Sequence, residues 1–362
     1  MEETTMNTQA FDDGKAEAFG GKMTDILNYS FLGYMCSIGH QTGLFDTMSG
    51  LAATTSEGIA DATGLNERYV REWLGGMVAG GIVEYDPGAA AYTLPQEHAQ
   101  VLTRASGPDN MAFYASYLSI IGEIEQQVVD SFRNGGGVPY SAYPRFQTVQ
   151  AEESAMLFDT ALVGSMMPLL PGGVDALVAG IRVADIGCGQ GHALNLLAKA
   201  FPNSHFVGYD LSEEGIAAAR QEATALGLRN ASFEIRDVAD LGADGSYDLI
   251  TAFDTIHDLA QPGKALRSIA EALRPGGLLF MGEFAASSNL EENLDNPMAS
   301  MLYGFSLFYC MTTSLAIGGD GVGTMWGEQT AREYLQEAGF TDVEVKQVEG
   351  DPLHNYFTAK KQ

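Results

Sequence analysis

Val183-Ala184-Asp185-Ile186-Gly187-Cys188-Gly189-Gln190-Gly191 sets the architecture of the second half of this chain. The apolar run from Ile181 to Ile186 reads as a buried strand, and it runs into a turn with three glycines. A helix is predicted directly after it, His192 to Ala200, with Leu194, Leu196 and Leu197 along it. Glycines let the backbone turn tightly and approach a ligand without Cβ interference. The helix start adds free N–H groups and a partial positive charge at the turn.

The spacing within the turn narrows the ligand. The dinucleotide fingerprint has glycines at its first, third and sixth positions. Here they fall at the first, third and fifth, and His192 takes the sixth. Asp185 stands two residues before Gly187. A carboxylate there would repel a pyrophosphate but suits the ammonium of an amino-acid-like ligand. That favours S-adenosylmethionine over a nicotinamide dinucleotide, and an NAD-dependent dehydrogenase is the disfavoured rival.

Later segments support an adenosine site. The strand Ser204 to Tyr209 ends at Asp210, 19 residues beyond Gly191. An acid there can accept both ribose hydroxyls, with Leu211 near the base. A third strand, Ala231 to Ile235, ends at Arg236-Asp237-Val238, where Asp237 can accept from the adenine amino group. The predicted cofactor-binding set is Asp185, Gly187, Gly189, Gly191, Asp210, Leu211, Asp237, Val238, Phe253 and Asp254. A fourth strand, Tyr247 to Phe253, leads into Asp254-Thr255-Ile256-His257-Asp258. In an open parallel sheet, ligands sit beyond the carboxyl ends of the strands. His257 is therefore placed to meet one.

Outward from this core, 362 residues suit about two domains. Residues 1–20 are acidic and aperiodic, and are expected to form a mobile arm. Residues 21–105 read as helix, short turn, helix and hairpin, a winged-helix-like pattern. Its helix starts are Thr54-Thr55-Ser56-Glu57 and Asn66, and its turn is Asp86-Pro87-Gly88. Residues 106–170 form a helical linker or lid region, broken at Gly135-Gly136-Gly137-Val138-Pro139. Tyr140, Tyr143 and Phe146 follow, as lid or as packing. Residues 171–362 alternate strands and helices, which predicts an α/β fold with a Rossmann-like seven-stranded sheet. Asn296 to Ile317 is an apolar insertion that walls an acceptor pocket or packs in the interior, and Gly318 to Gly323 is expected to be a flexible loop.

Charge and composition exclude several classes. The net charge is −28, with 46% hydrophobic residues. Residues 1–150 carry 7 Lys and Arg against 18 Asp and Glu, a balance of −11. So acidic a winged-helix domain would be repelled by DNA, although Arg68 and Arg71 on its second helix could touch phosphate. A dimerisation domain is the favoured reading, and a cofactor-sensing transcription regulator is the rival from another class. No nucleic acid, no membrane and a cytoplasmic location are expected. The three cysteines, Cys36, Cys188 and Cys310, have no metal-ligand spacing, and no metal is expected.

The segments DIGCGQG (185–191), GYDLS (208–212), RDVAD (236–240), YDLITAFDTIHD (247–258) and LRPGGLLF (273–280) resemble those of class I S-adenosylmethionine-dependent methyltransferases. With the winged-helix-like N-terminus, the chain is similar to small-molecule O-methyltransferases of plants and bacteria. The resemblance implies a homodimer joined through the N-terminal domain and a small organic methyl acceptor. It also implies that His257 is the general base, oriented by Glu283 at the end of the fifth strand, with Asp258 as the alternative orienter. Transfer to nitrogen, sulfur or carbon would need little or no base and is the runner-up. In one reading His40 reaches a pocket across the dimer, although His40 and His354 more readily read as structural; His192 is expected near the cofactor without chemistry. The acceptor itself is not legible.

Overall fold

The computed structural model describes residues 11–242 and 244–362. The chain divides into two compact units, one ending at Ser119 and one beginning at Ile120. This boundary falls inside the helix Ser116–Asn134, where a continuous helical pattern gives no composition break to read.

The first unit opens with the helix Asp13–Thr42. The Asp12 side chain accepts the Lys15 N–H at its start, and Gly43, at φ +73°, ends it. The arm expected over residues 1–20 is corrected here: Asp13 to Gly20 are helical, because an acidic cap and helix-forming Ala, Glu and Lys outweigh the lack of apolar periodicity. Residues 1–10 lie outside the described residues. Helices Ser56–Thr63 and Glu67–Ala79 follow, each started by a side-chain cap, from Thr55 and Asn66. Then β1 (Glu84–Asp86) pairs antiparallel with β2 (Ala91–Thr93). Phe45, Ile59, Leu74 and Met77 are fully buried in the core of this unit.

In the second unit, a seven-stranded sheet comprises β3 (Arg182–Ile186), β4 (His205–Asp210), β5 (Ala231–Ile235), β6 (Tyr247–Phe253), β7 (Leu273–Phe284), β8 (Phe340–Val348) and β9 (Asp351–Lys361). Its order is β5-β4-β3-β6-β7-β9-β8. The first five are mutually parallel, and β9 lies antiparallel between β7 and β8. Strand order reverses at β3 and β6, so a crevice opens there beyond the carboxyl ends. Val183 to Ile186 and Leu249 to Ala252 are buried, as central parallel strands with helices on both faces require. β7 and β9 extend well beyond their apolar segments, since sheet partners on the neighbouring strands carry the pairing into polar sequence.

The apolar insertion folds as helix Ala299–Phe305, a π-helical turn Ser306–Cys310 and helix Met311–Ala316. Residues 318–323 differ from a free loop. The Gly319 and Asp320 N–H groups donate to Ser314 O and Ala260 O at 2.9 and 2.8 Å, and Gly321 N donates to Ser314 Oγ at 3.2 Å. No helix among the described residues is long and apolar enough to cross a membrane.

Candidate functional site

The turn after β3 holds Gly187, Gly189 and Gly191 at φ +65°, +52° and +73°. All three lie in the left-handed region that favours glycine. Each does different work. A Cβ at Gly191 would meet Ala219 Cβ at 2.5 Å and Phe233 Cε1 at 2.6 Å, so this glycine closes the turn onto the helix Glu213–Ala225 and strand β5. A Cβ at Gly187 would strike Thr255 at 2.4 Å, which brings the turn against the segment carrying His257. At Gly189 a Cβ would meet nothing within 4 Å. There the backbone faces open space, a cradle for a ligand.

Acids stand around that space at the strand ends. Asp210, at the end of β4, accepts Gly189 N and Ser212 N, one on each oxygen, both at 2.8 Å. Both carboxylate oxygens are thus fixed in place, each with a further lone pair for a ribose hydroxyl. Asp185 is buried and takes the Thr251 hydroxyl at 2.6 Å. Burial pushes its pKa up to about 7, against that hydrogen bond. A buried carboxyl so destabilised gains from a cationic partner such as an ammonium. Asp237 is exposed and uses one oxygen on Ala239 N, 2.8 Å. Leu211 is 66% exposed and Val238 is buried, so Leu211 offers an apolar face to a base. Phe253 packs on Phe158 and Phe280. The donor set and the open face at Gly189 fit an adenosine bearing an amino-acid arm.

Beyond β6 the chain turns through Asp254, at φ +49°. A non-glycine residue held there marks a constrained position. His354 Nε2 lies 3.2 Å from Asp254 Oδ2. Its other nitrogen contacts Asp351 at 2.9 Å, and Tyr356 OH donates to Asp351 at 2.6 Å. His354 thus braces the turn from β9.

His257 sits in the next short turn, 1% exposed. Its Nδ1 lies 2.5 Å from Glu283 Oε2, near the end of β7. Glu283 is equally buried, and Ile256 N and Trp326 Nε1 both donate to it at 3.2 Å. Asp258 Oδ1 faces the opposite nitrogen, 3.3 Å from Nε2. Burial pulls the imidazole pKa down, but the negative charges of Glu283 and then Asp258 outweigh it and hold it well above the ordinary histidine value. Burial raises Glu283, against the pull of His257.

Folding also gathers residues that spacing does not reveal. Trp326 reaches Glu283 from 43 positions downstream. Cys310 lies against His257 and Asp258. Only the apolar run around Cys310 signalled that its segment is buried. Of the aromatic residues after the glycine loop, Phe146 stacks on Tyr309 at 3.5 Å and Tyr143 OH donates to Phe308 O at 2.6 Å, both buried, while Tyr140 is exposed. Gln147 connects the group to Ser212, beside Asp210. His192 is engaged by Glu222 and Asp159 at 2.6 and 3.0 Å. His40 is buried in the first unit beside Phe113 and Asn110.

Residues 30–104 match the Rv2258c-like winged HTH domain, and residues 177–339 match the family described as methyltransferase domain. The malonyl-acyl-carrier-protein O-methyltransferase of Bacillus cereus is 29% identical over 151 residues, 42% of this chain and 50% of that protein. The chain spans about half the length, or less, of the curated relatives it matches. Among solved structures, the mitomycin 7-O-methyltransferase shares the fold at a TM-score of 0.73, with 17% identity, covering 96% of this chain and all of that one. Human N-acetylserotonin methyltransferase, solved with S-adenosylmethionine, gives 0.69, with 17% identity and coverage of 98% and 99%. Residues 177–339 thus carry a methyltransferase domain, behind a winged helix-turn-helix domain at residues 30–104, and the fold is that of the solved S-adenosylmethionine-dependent methyltransferases.

Proposed function

We propose that this protein transfers the methyl group of S-adenosylmethionine to a hydroxyl of a small organic acceptor, with His257 as general base. Asp185 would hold the ammonium, Asp210 the ribose and Asp237 the adenine amino group, with the glycine turn against the arm. The cofactor supplies a methyl carbon on a sulfonium, a good leaving group. The acceptor oxygen bonds to that carbon as the carbon–sulfur bond breaks, and Nε2 of His257 takes the hydroxyl proton. The relative and the first neighbour named above are each named for transfer to oxygen.

One observation carries this reading: the buried Glu283–His257 contact of 2.5 Å, on the turn that Gly187 touches through Thr255. Glu283 holds the Nδ1 proton, so proton uptake and loss fall to Nε2, which Asp258 Oδ1 faces at 3.3 Å; deprotonated, Nε2 would take the acceptor proton as a general base. Positioning and exclusion of water supply the rest. A panel of phenols, alcohols, amines and thiols, assayed for S-adenosylhomocysteine, tests it. We expect release with a hydroxyl acceptor and a fall of about 10²–10⁴-fold in turnover for His257→Ala, with cofactor affinity kept. Full activity in that variant would move the assignment to base-free transfer.

We also infer a homodimer formed through the first unit. Its long helix exposes Phe19, Met23, Ile26, Leu27, Tyr29 and Phe31, more apolar surface than one helix leaves to water. The second helix of the winged pattern speaks for a protein partner over DNA: Arg68 pairs with Glu72 and Arg71 with Glu67 on the same helix.

A further inference from the structure

Three side chains with metal-ligand chemistry meet beside the proposed base. A His257 ring nitrogen, an Asp258 carboxylate oxygen and Cys310 Sγ lie within 4.8 Å of one another. No sequence spacing joins Cys310 to the other two, which is why no metal was expected. The fold brings it there on the π-helical turn Ser306–Cys310, a widening that often marks a functional position in a helix.

The one close separation suits a tetrahedral ion. Bonds of about 2.0–2.1 Å to nitrogen and oxygen put those atoms roughly 3.3 Å apart across a tetrahedron's edge. His257 Nε2 and Asp258 Oδ1 are 3.3 Å apart. Asp258 Oδ1 is buried, and its charged neighbour is His257 Nε2 at 3.3 Å. Once Nε2 loses its proton, this oxygen faces a lone pair, which is unfavourable, and a cation would satisfy both. The other nitrogen of His257 is held by Glu283 at 2.5 Å. A carboxylate behind a metal-binding imidazole fixes the tautomer and strengthens the ligand. Burial pushes the Cys310 thiol up to about 12, against the Thr324 Oγ1 donation to Sγ at 3.0 Å, so a bound cation would have to displace the thiol proton.

We propose that His257, Asp258 and Cys310 form a three-ligand site for a thiophilic divalent cation of the zinc class, with its fourth position open. Thiolate with imidazole selects zinc or cobalt over magnesium and calcium, which take oxygen ligands. Loading displaces the thiol proton and any proton on Nε2 to solvent, so binding tightens as pH rises. The Nε2 lone pair cannot hold both a metal and a proton. Loading therefore shuts the base route while the ion remains.

The test uses the full chain, stripped with chelator and titrated with Co²⁺. We expect a near-ultraviolet thiolate-to-cobalt band and visible tetrahedral bands that saturate at one ion per chain and are displaced by Zn²⁺. Cys310→Ser should lose the near-ultraviolet band and bind zinc at least about tenfold more weakly. Cys36→Ser and Cys188→Ser should keep both. Asp258→Asn, a second variant should Cys310→Ser not fold, should keep the thiolate band but weaken cobalt binding. No band in the stripped wild-type protein, or an undiminished band in Cys310→Ser, overturns the site. Methyl transfer by the metal-free protein is read separately: activity without the band removes the metal site alone, and the band without activity removes only the transferase reading.

Discussion

Asp210 and Glu283 both act through where they are fixed. Asp210 is held by two backbone N–H groups, so the lone pairs proposed for the ribose are prepaid in orientation. Asp210→Ala should weaken S-adenosylmethionine binding about 10–100-fold by calorimetry, the worth of charge-assisted hydrogen bonds. Unchanged affinity would remove the ribose role. Glu283 acts on His257. With the imidazole pKa raised, the base form grows only as pH climbs above the ordinary histidine range, so the rate of methyl transfer should rise on the alkaline side. Glu283→Gln removes the first attraction that holds the proton. The inflection should then move to lower pH while the maximal rate falls; an unmoved inflection would show that Glu283 only packs. Stability changes in the opposite direction to rate. The folded pKa of His257 lies above its unfolded value, so its contribution is complete below the ordinary histidine pKa and is lost as pH rises through the folded one.

Strand ends and the turns that leave them are the working elements. In the turn after β3, the three glycines separate packing from binding. Gly191→Ala would drive a methyl into Ala219 and Phe233. It should cost about 1–3 kcal/mol and lower Tm in a calorimetric scan. Gly189→Ala meets no atom, so only the backbone penalty of a left-handed residue applies, about 1–2 kcal/mol. It should lose more cofactor affinity than its modest stability change explains. Equal Tm losses in the two variants, with binding kept in the second, would mean that no ligand approaches that backbone. These elements were legible because central parallel strands are apolar and end abruptly: β6 runs over Tyr247–Phe253 and the helix after the turn over His192–Ala200, both as expected. β7 and β9 run on past their apolar segments into polar sequence that neighbouring strands hold.

The whole molecule pairs an acidic winged-helix unit with a methyltransferase unit at a net charge of −28. The exposed apolar side chains of helix Asp13–Thr42 are the feature that self-association would bury. Replacing Ile26 and Leu27 by Glu together should halve the mass seen by light scattering, with each chain still folded. A wild-type protein that already runs at 38.6 kDa, or a double variant of unchanged mass, would remove the dimer.

The adenosine-binding half was readable before any folding because its determinants are local. A glycine turn, the acid two residues before it and acids at strand ends are spaced along the chain by the geometry of strands themselves. The division at Ser119 and Ile120 was hidden inside a continuous helix. The surroundings of His257 were legible only in part: the His-Asp step lies in sequence, but its neighbours do not. Glu283, implied by the resemblance, and Cys310 reach it, and Thr324 and Trp326 hold those two; the four come from three separate segments, and their approach depends on sheet order and on one widened helical turn. Such contacts follow from packing, which no one-dimensional period encodes.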